Sequence, residues 1–275
     1  MRVMKWIKHA LIGLVVICLV AVGGIYAASE LRLAKSYDTP VMAFDAKAFG
    51  ITPAEAERRA ASMMCADCHQ KAGQILFEAD GVGRLVTPNL TRVAKNYTDG
   101  ELERLIRKGV KKDGTAALIM PAKTYAYLAD EDVAAVISWL RNQKEEPDAV
   151  PDGTTFGPLG RLALATSQLP FEADHLSKVE PVQVRPDDVG RYLVNVACLH
   201  CHQLKSEHDN GFGMKTPALA AMVKGYRYDQ FVTLLATGKP IGGREMPFMS
   251  KVSREAFAFY SEAEKRAIYD YLSAQ

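Results

Sequence analysis

The chain is short of spare cysteine, of net charge and of any assembled catalytic motif. Four of its five cysteines fall into two tight clusters and the fifth, Cys18, lies in an apolar run, so no pair remains for a structural disulfide. Lys plus Arg number 34 and Asp plus Glu 32, a balance that argues against nucleic acid or a strongly acidic molecule as partner. No nucleophile–base pairing and no phosphate-cradling glycine loop stands out, so the usual signatures of hydrolases and nucleotide enzymes are missing. One stretch has no charge at all. From His9 to Ser29 there is no Asp, Glu, Lys or Arg over 21 residues, close to the ~20 a helix needs to cross a hydrocarbon core.

The flank before that run carries Arg2, Lys5 and Lys8 and no acid. Such a flank is expected to stay cytoplasmic, sending everything after about Glu30 to the far side. A cleaved signal peptide shares this layout. Here, though, the run is long, and cutting after Ala27 or Ala28 would put Ile25 or Tyr26 where a small residue is wanted. Residues 1–29 are therefore read as an uncleaved transmembrane anchor, with Cys18 a lipid-facing or packing residue.

What the chain does have, it has twice. Cys65-Ala66-Asp67-Cys68-His69 and Cys198-Leu199-His200-Cys201-His202 repeat one C-x-x-C-H pattern 133 residues apart. Two thiols three positions apart can each close a thioether on a haem vinyl group, and the histidine that follows falls under the porphyrin as proximal iron ligand. One copy could be a redox or zinc pair beside an unrelated histidine. Two copies with matching downstream signals predict two covalently attached haem c groups, held by Cys65, Cys68 and His69 and by Cys198, Cys201 and His202.

In the first half, residues 48–145, Thr52-Pro53-Ala54-Glu55 reads as a helix start. The helix is expected to run through Met63 and Met64 and deliver Cys65 near its end. Pro88 follows the motif at a distance where its carbonyl can accept from the His69 imidazole and fix the ring. Met120, in Met120-Pro121, is the one methionine between His69 and the end of this half, hence the natural sixth iron ligand. Asp130-Glu131-Asp132 opens a closing helix with Val133, Val136, Ile137 and Leu140 at helical spacing, and Trp139 is expected to pack on the first helix.

Residues 146–185 hold five prolines and little periodicity, an ordered but irregular linker. The second half, 186–275, repeats the first in its middle: Thr87-Pro88, Tyr97 and Gly109 match Thr216-Pro217, Tyr226 and Gly238 with a common offset of 129. Pro217 thereby takes the place of Pro88. Two methionines compete for the second iron. Met246 has the Met-Pro dipeptide of Met120, but Met249 lies eleven residues after Gly238, as Met120 does after Gly109; Met249 is preferred and Met246 stays the alternative. Gly190, eight residues before Cys198, would let the closing helix cross closely, where the first half has Glu57.

With these residues in place the chain resembles class I c-type cytochromes, specifically the membrane-anchored dihaem cytochromes c of bacterial respiratory chains. The likeness rests on Cys65-x-x-Cys68-His69, Pro88-Asn89-Leu90-Thr91, Met120-Pro121, Asp130 to Leu140, Cys198-x-x-Cys201-His202, Gly243-Arg244-Glu245 and Met249-Ser250, and covers roughly 50–275. It implies an all-α protein: an N-terminal transmembrane helix, then two cytochrome c-type haem domains with His/Met ligation, on the periplasmic side of the inner membrane. It also implies redox protein partners, with single electrons passing from a quinol-oxidising complex or dehydrogenase to a soluble cytochrome or terminal oxidase. Two other readings stay open: a dihaem enzyme of peroxidase or thiosulfate-oxidising type, which needs an open iron position, and a fixed cytochrome subunit of a larger membrane dehydrogenase or oxidase.

Overall fold

The uncharged run forms a single helix, α1 (Arg2–Leu33), of 32 residues, about 48 Å at 1.5 Å per residue. Its Met4–Leu33 stretch is long and apolar enough to cross a membrane by length and composition. In the computed structural model, which describes residues 2–150, 152–169, 171–176, 180, 182–209 and 214–275, α1 is exposed along most of its length and becomes buried at Ser29.

In the first half, α2 (Pro53–Ser62) begins where Thr52 Oγ1 accepts from the Glu55 amide at 3.3 Å. It does not carry the chain into Cys65 as expected. Met64 adopts a left-handed conformation, φ 60°, and the motif occupies its own turn, α3 (Cys65–His69). The break leaves the Met63 carbonyl without a helical partner, and Tyr125 Oη donates to it at 2.6 Å.

A hairpin follows, β1 (Ile75–Ala79) and β2 (Gly83–Val86), with Phe77 opposite Leu85 and Glu78 opposite Arg84. A third strand, β3 (Thr155–Phe156), pairs with β2. Gly83 is required there: at φ +117° its missing Cβ would lie 2.2 Å from the Thr155 carbonyl. A second small ladder, β4 (His208–Asp209) with β5 (Lys215–Thr216), lies in the second half. The protein is thus mostly helical rather than all-α. The chain must turn back after each motif to bring a proline under the histidine, and a hairpin does this in few residues; Asp80-Gly81 between apolar runs is the sequence signal for it.

Beyond the hairpin come α4 (Leu90–Asn96), α5 (Asp99–Lys108), α6 (Ala122–Tyr125) and α7 (Asp130–Arg141). The Thr98–Glu101 capping box starts α5, and Gly109 at φ 65° ends it. Along α2, the small residues Ala56 and Ala60 let α7 approach, burying Val133, Ile137 and Trp139.

The proline-rich stretch is more regular than its composition suggests. Besides β3 it forms α8 (Pro158–Ala165) and α9 (Ala173–Leu176). Helix α8 packs on the end of α1, where Arg161 donates to Ser29 Oγ at 3.1 Å, pairs with Glu30 and covers the Tyr26 ring.

The second half runs through α10 (Val189–Ala197), a short turn at Cys198–His200, α11 (Leu219–Val223), α12 (Tyr228–Thr237), α13 (Pro247–Glu255) and α14 (Glu262–Ser273). Helix α14 crosses α10 at Gly190, whose missing Cβ would meet the Ala267 carbonyl at 2.1 Å.

The halves share one apolar core, with Leu102, Ile137 and Trp139 in the same cluster as Val194, Phe231 and Ile268. Over it lies a closed ring of three carboxylates and three guanidinium groups. Glu55 holds Arg59 at 2.6 Å and Arg58 at 2.7 Å; Arg58 reaches Glu264 at 2.6 Å. Arg185 spans Glu264 and Asp132, each at 3.0 Å, and Arg59 closes the circuit on Asp132 at 2.9 Å. Arg58 and Arg59 come from α2, Asp132 from α7, Glu264 from α14, so the ring joins the halves. Asp132 is fully buried and also accepts from Tyr192 Oη at 2.6 Å. A buried charge so fully paired is tolerated; left unpaired it would be costly.

Candidate haem-attachment sites

Turn α3 sets Cys65, Cys68 and His69 by leaving them no regular path forward. Gln70 and Lys71 are both left-handed, φ 44° and 58°, and reverse the chain at once. The reversed strand then zips to the segment around Pro88: Gln74 N donates to Thr87 Oγ1 and Thr87 N to Gln74 O, both at 3.0 Å, and Leu90 N donates to Lys71 O at 2.7 Å. Gly73 permits this approach, since a Cβ there would sit 2.6 Å from the Thr87 carbonyl. As a result the Pro88 carbonyl lies 3.2 Å from His69 Nδ1. The Gln74 side-chain amide ties the motif from the other side, donating to the Asp67 and Cys68 carbonyls at 2.6 and 2.8 Å.

Different residues build the same arrangement in the second half. His202 N donates to Cys198 O at 3.0 Å, and Leu219 N donates to Gln203 O at 3.1 Å. Thr216 Oγ1 donates to the Cys201 carbonyl at 2.7 Å, the part played by Gln74 in the first half. The Pro217 carbonyl lies 3.0 Å from His202 Nδ1. In both halves Nδ1 is thus occupied by a proline carbonyl, which fixes the ring and leaves Nε2 for a metal.

All four motif cysteines are free thiols, as is Cys18, which is exposed. Burial pushes Cys65 and Cys198 up to about 12, with the neighbouring thiol adding to it. Burial also draws His69 below the ordinary imidazole value, against the Pro88 contact. A neutral imidazole is the form that binds iron. Two free thiols and an imidazole oriented by a proline carbonyl in each half suit a covalently held haem.

The candidate distal methionines differ in packing, although Met63, Met64 and Met222 share the core with Met120 and Met249. Met120 and Met249 are partly buried against the shared core, in the same cluster as Cys65 and Cys198. Met246 is half-buried and occupies the N-cap position of α13, its amide taking Ser250 Oγ as acceptor at 2.9 Å. Glycine pins both segments. A Cβ on Gly109 would lie 3.2 Å from Ala122, two residues past Met120, and one on Gly238 would lie 2.3 Å from Ser250 Cα, next to Met249. Ser250 Oγ donates to the Gly238 carbonyl at 2.6 Å.

Several residues around the sites carry no motif and are invisible to spacing alone. Gln74 is one; Tyr125, at the break in α2, is another. The recurrence of threonine before both prolines is a usable signal, because both hydroxyls bond the motif strand.

Residues 52–140 match the family model described as cytochrome C oxidase, cbb3-type, subunit III. The chain is 29% identical over 189 residues to the cytochrome c subunit of a quinone alcohol dehydrogenase from Gluconobacter oxydans (strain 621H), covering 64% of this chain and 36% of that one. It is 28% identical over 162 residues to the fructose dehydrogenase cytochrome subunit of Gluconobacter japonicus, covering 50% of this chain and 32% of the relative. The chain therefore spans about a third of the length of the curated relatives it matches.

Proposed function

Starting from a cytochrome c-type domain at residues 52–140, we propose that the chain is a membrane-anchored dihaem cytochrome c that relays single electrons in a bacterial respiratory chain. The donor would be a quinol-oxidising complex or dehydrogenase, and the acceptor a soluble cytochrome or terminal oxidase. One observation carries the count of two: the second C-x-x-C-H run has the same setting as the first, down to the proline carbonyl on the histidine, at 3.2 Å in one half and 3.0 Å in the other.

When bound, haem c supplies a one-electron iron couple. Cys65 and Cys68, and Cys198 and Cys201, would carry the thioethers, with His69 and His202 as proximal ligands. The proline carbonyls hold each imidazole in one tautomer and raise its basicity toward iron. Met120 and Met249 are the distal ligands in this reading. Ligation by both an imidazole and a thioether would raise the potential and leave no open position, which suits a carrier. Helix α1 would hold both halves at the periplasmic face of the inner membrane, its basic end inside.

Intact mass and a haem stain on the purified chain test this reading. Two haem c per chain are expected, falling to one in a Cys198→Ala/Cys201→Ala variant that keeps the long-wavelength methionine–iron band of the first site. A single haem in the parent chain would overturn the dihaem reading. Met249→Ala should remove half of that band and Met246→Leu none; the reverse would give the second iron to Met246.

The relatives favour a second reading, a fixed cytochrome subunit of a membrane dehydrogenase, since both are named as cytochrome subunits of dehydrogenases. Co-purification of the detergent-extracted chain with a large catalytic subunit would select it over a free relay.

A further inference from the structure

The residue just before the second cysteine of each motif does not face its own half. Asp67, inside Cys65-x-x-Cys68, meets Lys251 of α13 at 2.9 Å. Lys251 lies two residues past Met249, on the same helix. In the other direction, His200, inside Cys198-x-x-Cys201, has Nδ1 2.9 Å from Thr124 Oγ1. Thr124 lies on α6, four residues past Met120. The contacts are reciprocal: the same motif position in each half touches the methionine-bearing segment of the other. Glu255, one turn beyond Lys251, joins the first contact, pairing with Lys251 at 3.6 Å. Met120, Met249, Cys65 and Cys198 also pack on one core cluster.

We propose that the halves brace each other's distal ligand, with Asp67 and His200 as positioning residues for the Met249 and Met120 segments respectively. The proposal rests on the dihaem reading above. A distal methionine holds iron only if its segment is kept against the haem, and neighbours that orient a ligand set how firmly it binds. Here that support comes from the opposite haem-attachment turn. A change at one site is thereby felt in the methionine segment of the other, through two short contacts, one from each motif to the opposite helix.

The test titrates imidazole against the oxidised holoprotein and follows displacement of each methionine, the two signals being assigned with Met120→Ala and Met249→Ala variants. Haem content by mass is measured first, so that loss of a haem (failure of the dihaem reading) is told apart from loss of bracing. Lys251→Ala and Asp67→Asn should each make Met249 roughly threefold easier to displace, the scale of a half-exposed ion pair, and leave Met120 unmoved. The double variant should be no worse than Lys251→Ala alone, because that change already breaks the Asp67 contact and gives up the Glu255 pair as well. Thr124→Val should do the converse, loosening Met120 alone. The crossing is decisive for Asp67, which belongs to the first motif yet should affect the second iron. An Asp67→Asn effect confined to Met120, additive single effects, or no displacement change in any variant would each overturn the proposal. Should Asp67→Asn impair haem attachment, Lys251→Ala, which lies outside both motifs in the sequence, decides alone.

Discussion

In the first half the entry helix buries Ala56 and Ala60, nine and five residues before Cys65. In the second half Gly190 and Val194 are buried at eight and four residues before Cys198. The buried face is the same, shifted by one residue relative to the motif. Left-handed Met64 takes up that residue, since α2 stops at Ser62 while α10 runs to Ala197 and straight into Cys198. This is why Glu57, at the spacing of Gly190, is exposed. The closing helices differ as well. Helix α14 caps itself, with Ser261 and Glu264 bonding each other's backbone. Helix α7 starts at Ala129, which has no capping side chain, and the Ala129 amide donates instead to Tyr192 Oη of the second half at 2.8 Å. What the iron would need is built alike in both halves; what joins them is not. The first half borrows the start of its closing helix from the second.

The largest expected break in that arrangement is at Asp132. Asp132→Asn keeps the shape but removes the charge on which Arg59, Arg185 and Tyr192 converge, and should destabilise the chain by about 3–5 kcal/mol in urea unfolding. Acid reaches the same ring. Arg58, by its hydrogen bond, holds Glu55 down to about 2, well below the ordinary glutamate range. Burial draws Glu264 up, but Arg58 and the Ser261 amide outweigh it and its value also ends low. Carboxylates depressed in the folded state stabilise it above their unfolded values and lose that contribution as pH falls through the folded ones. Stability should hold down to about pH 4.5 and fall progressively from there toward pH 2, and an Asp132→Asn chain should start its acid transition at higher pH.

Next in size is Tyr192→Phe. The hydroxyl both donates to Asp132 and receives the Ala129 amide, so its loss leaves two buried groups short of a partner, at a cost of about 1–3 kcal/mol. Hydrogen exchange should show faster amides at the start of α7, in the first half, with the start of α14 unchanged, although the mutation lies in the second half. Equal loosening of both helices would remove the asymmetry.

Much of this was readable beforehand and some was not, for reasons that lie in particular residues. Helix starts at Thr52, Thr98 and Ser261 are legible because capping is local chemistry. Gly190 is legible because only glycine tolerates so close a crossing. The break at Met64 is not: a methionine in the left-handed region is held there by its surroundings, and nothing local announces it. The hairpins were hidden by the helical expectation, although Asp80-Gly81 signals the first. The ring and the two motif–methionine contacts were out of reach for a different reason. Apart from the Glu55 pairs within α2, every link joins residues more than fifty positions apart, and charge patterning along one helix cannot reveal a partner on another.

Gly190→Ala against Ala56→Gly sharpens the crossing comparison. The alanine methyl would press on the Ala267 backbone, which cannot yield without moving α14, so about 1–3 kcal/mol should be lost. In the first half the crossing already accommodates a methyl group, and Ala56→Gly should cost the helix penalty, roughly 0.5–1 kcal/mol, plus about 0.8 kcal/mol for the buried methyl it removes. Both can be read from urea midpoints. A Gly190→Ala chain as stable as the parent would mean that the second crossing also has room for a methyl group.

The smallest difference is in the caps. Ser261→Ala removes the acceptor for the Glu264 amide at 3.2 Å and Thr98→Ala the acceptor for the Glu101 amide at the same distance, each worth about 1 kcal/mol. The energies should match, but their reach should not. Thr98 acts within α5, so its loss should fray that helix alone. Ser261 precedes Glu264, whose carboxylate also holds Arg58 and Arg185; once the first turn of α14 loosens, that carboxylate loses its fixed position and the ring loosens with it. Hydrogen exchange in Ser261→Ala should therefore quicken at the start of α14 and, more weakly, in α2 across the interface. If α2 stays protected, the ring holds Glu264 in place without help from the cap, and its rigidity comes from the three arginines alone.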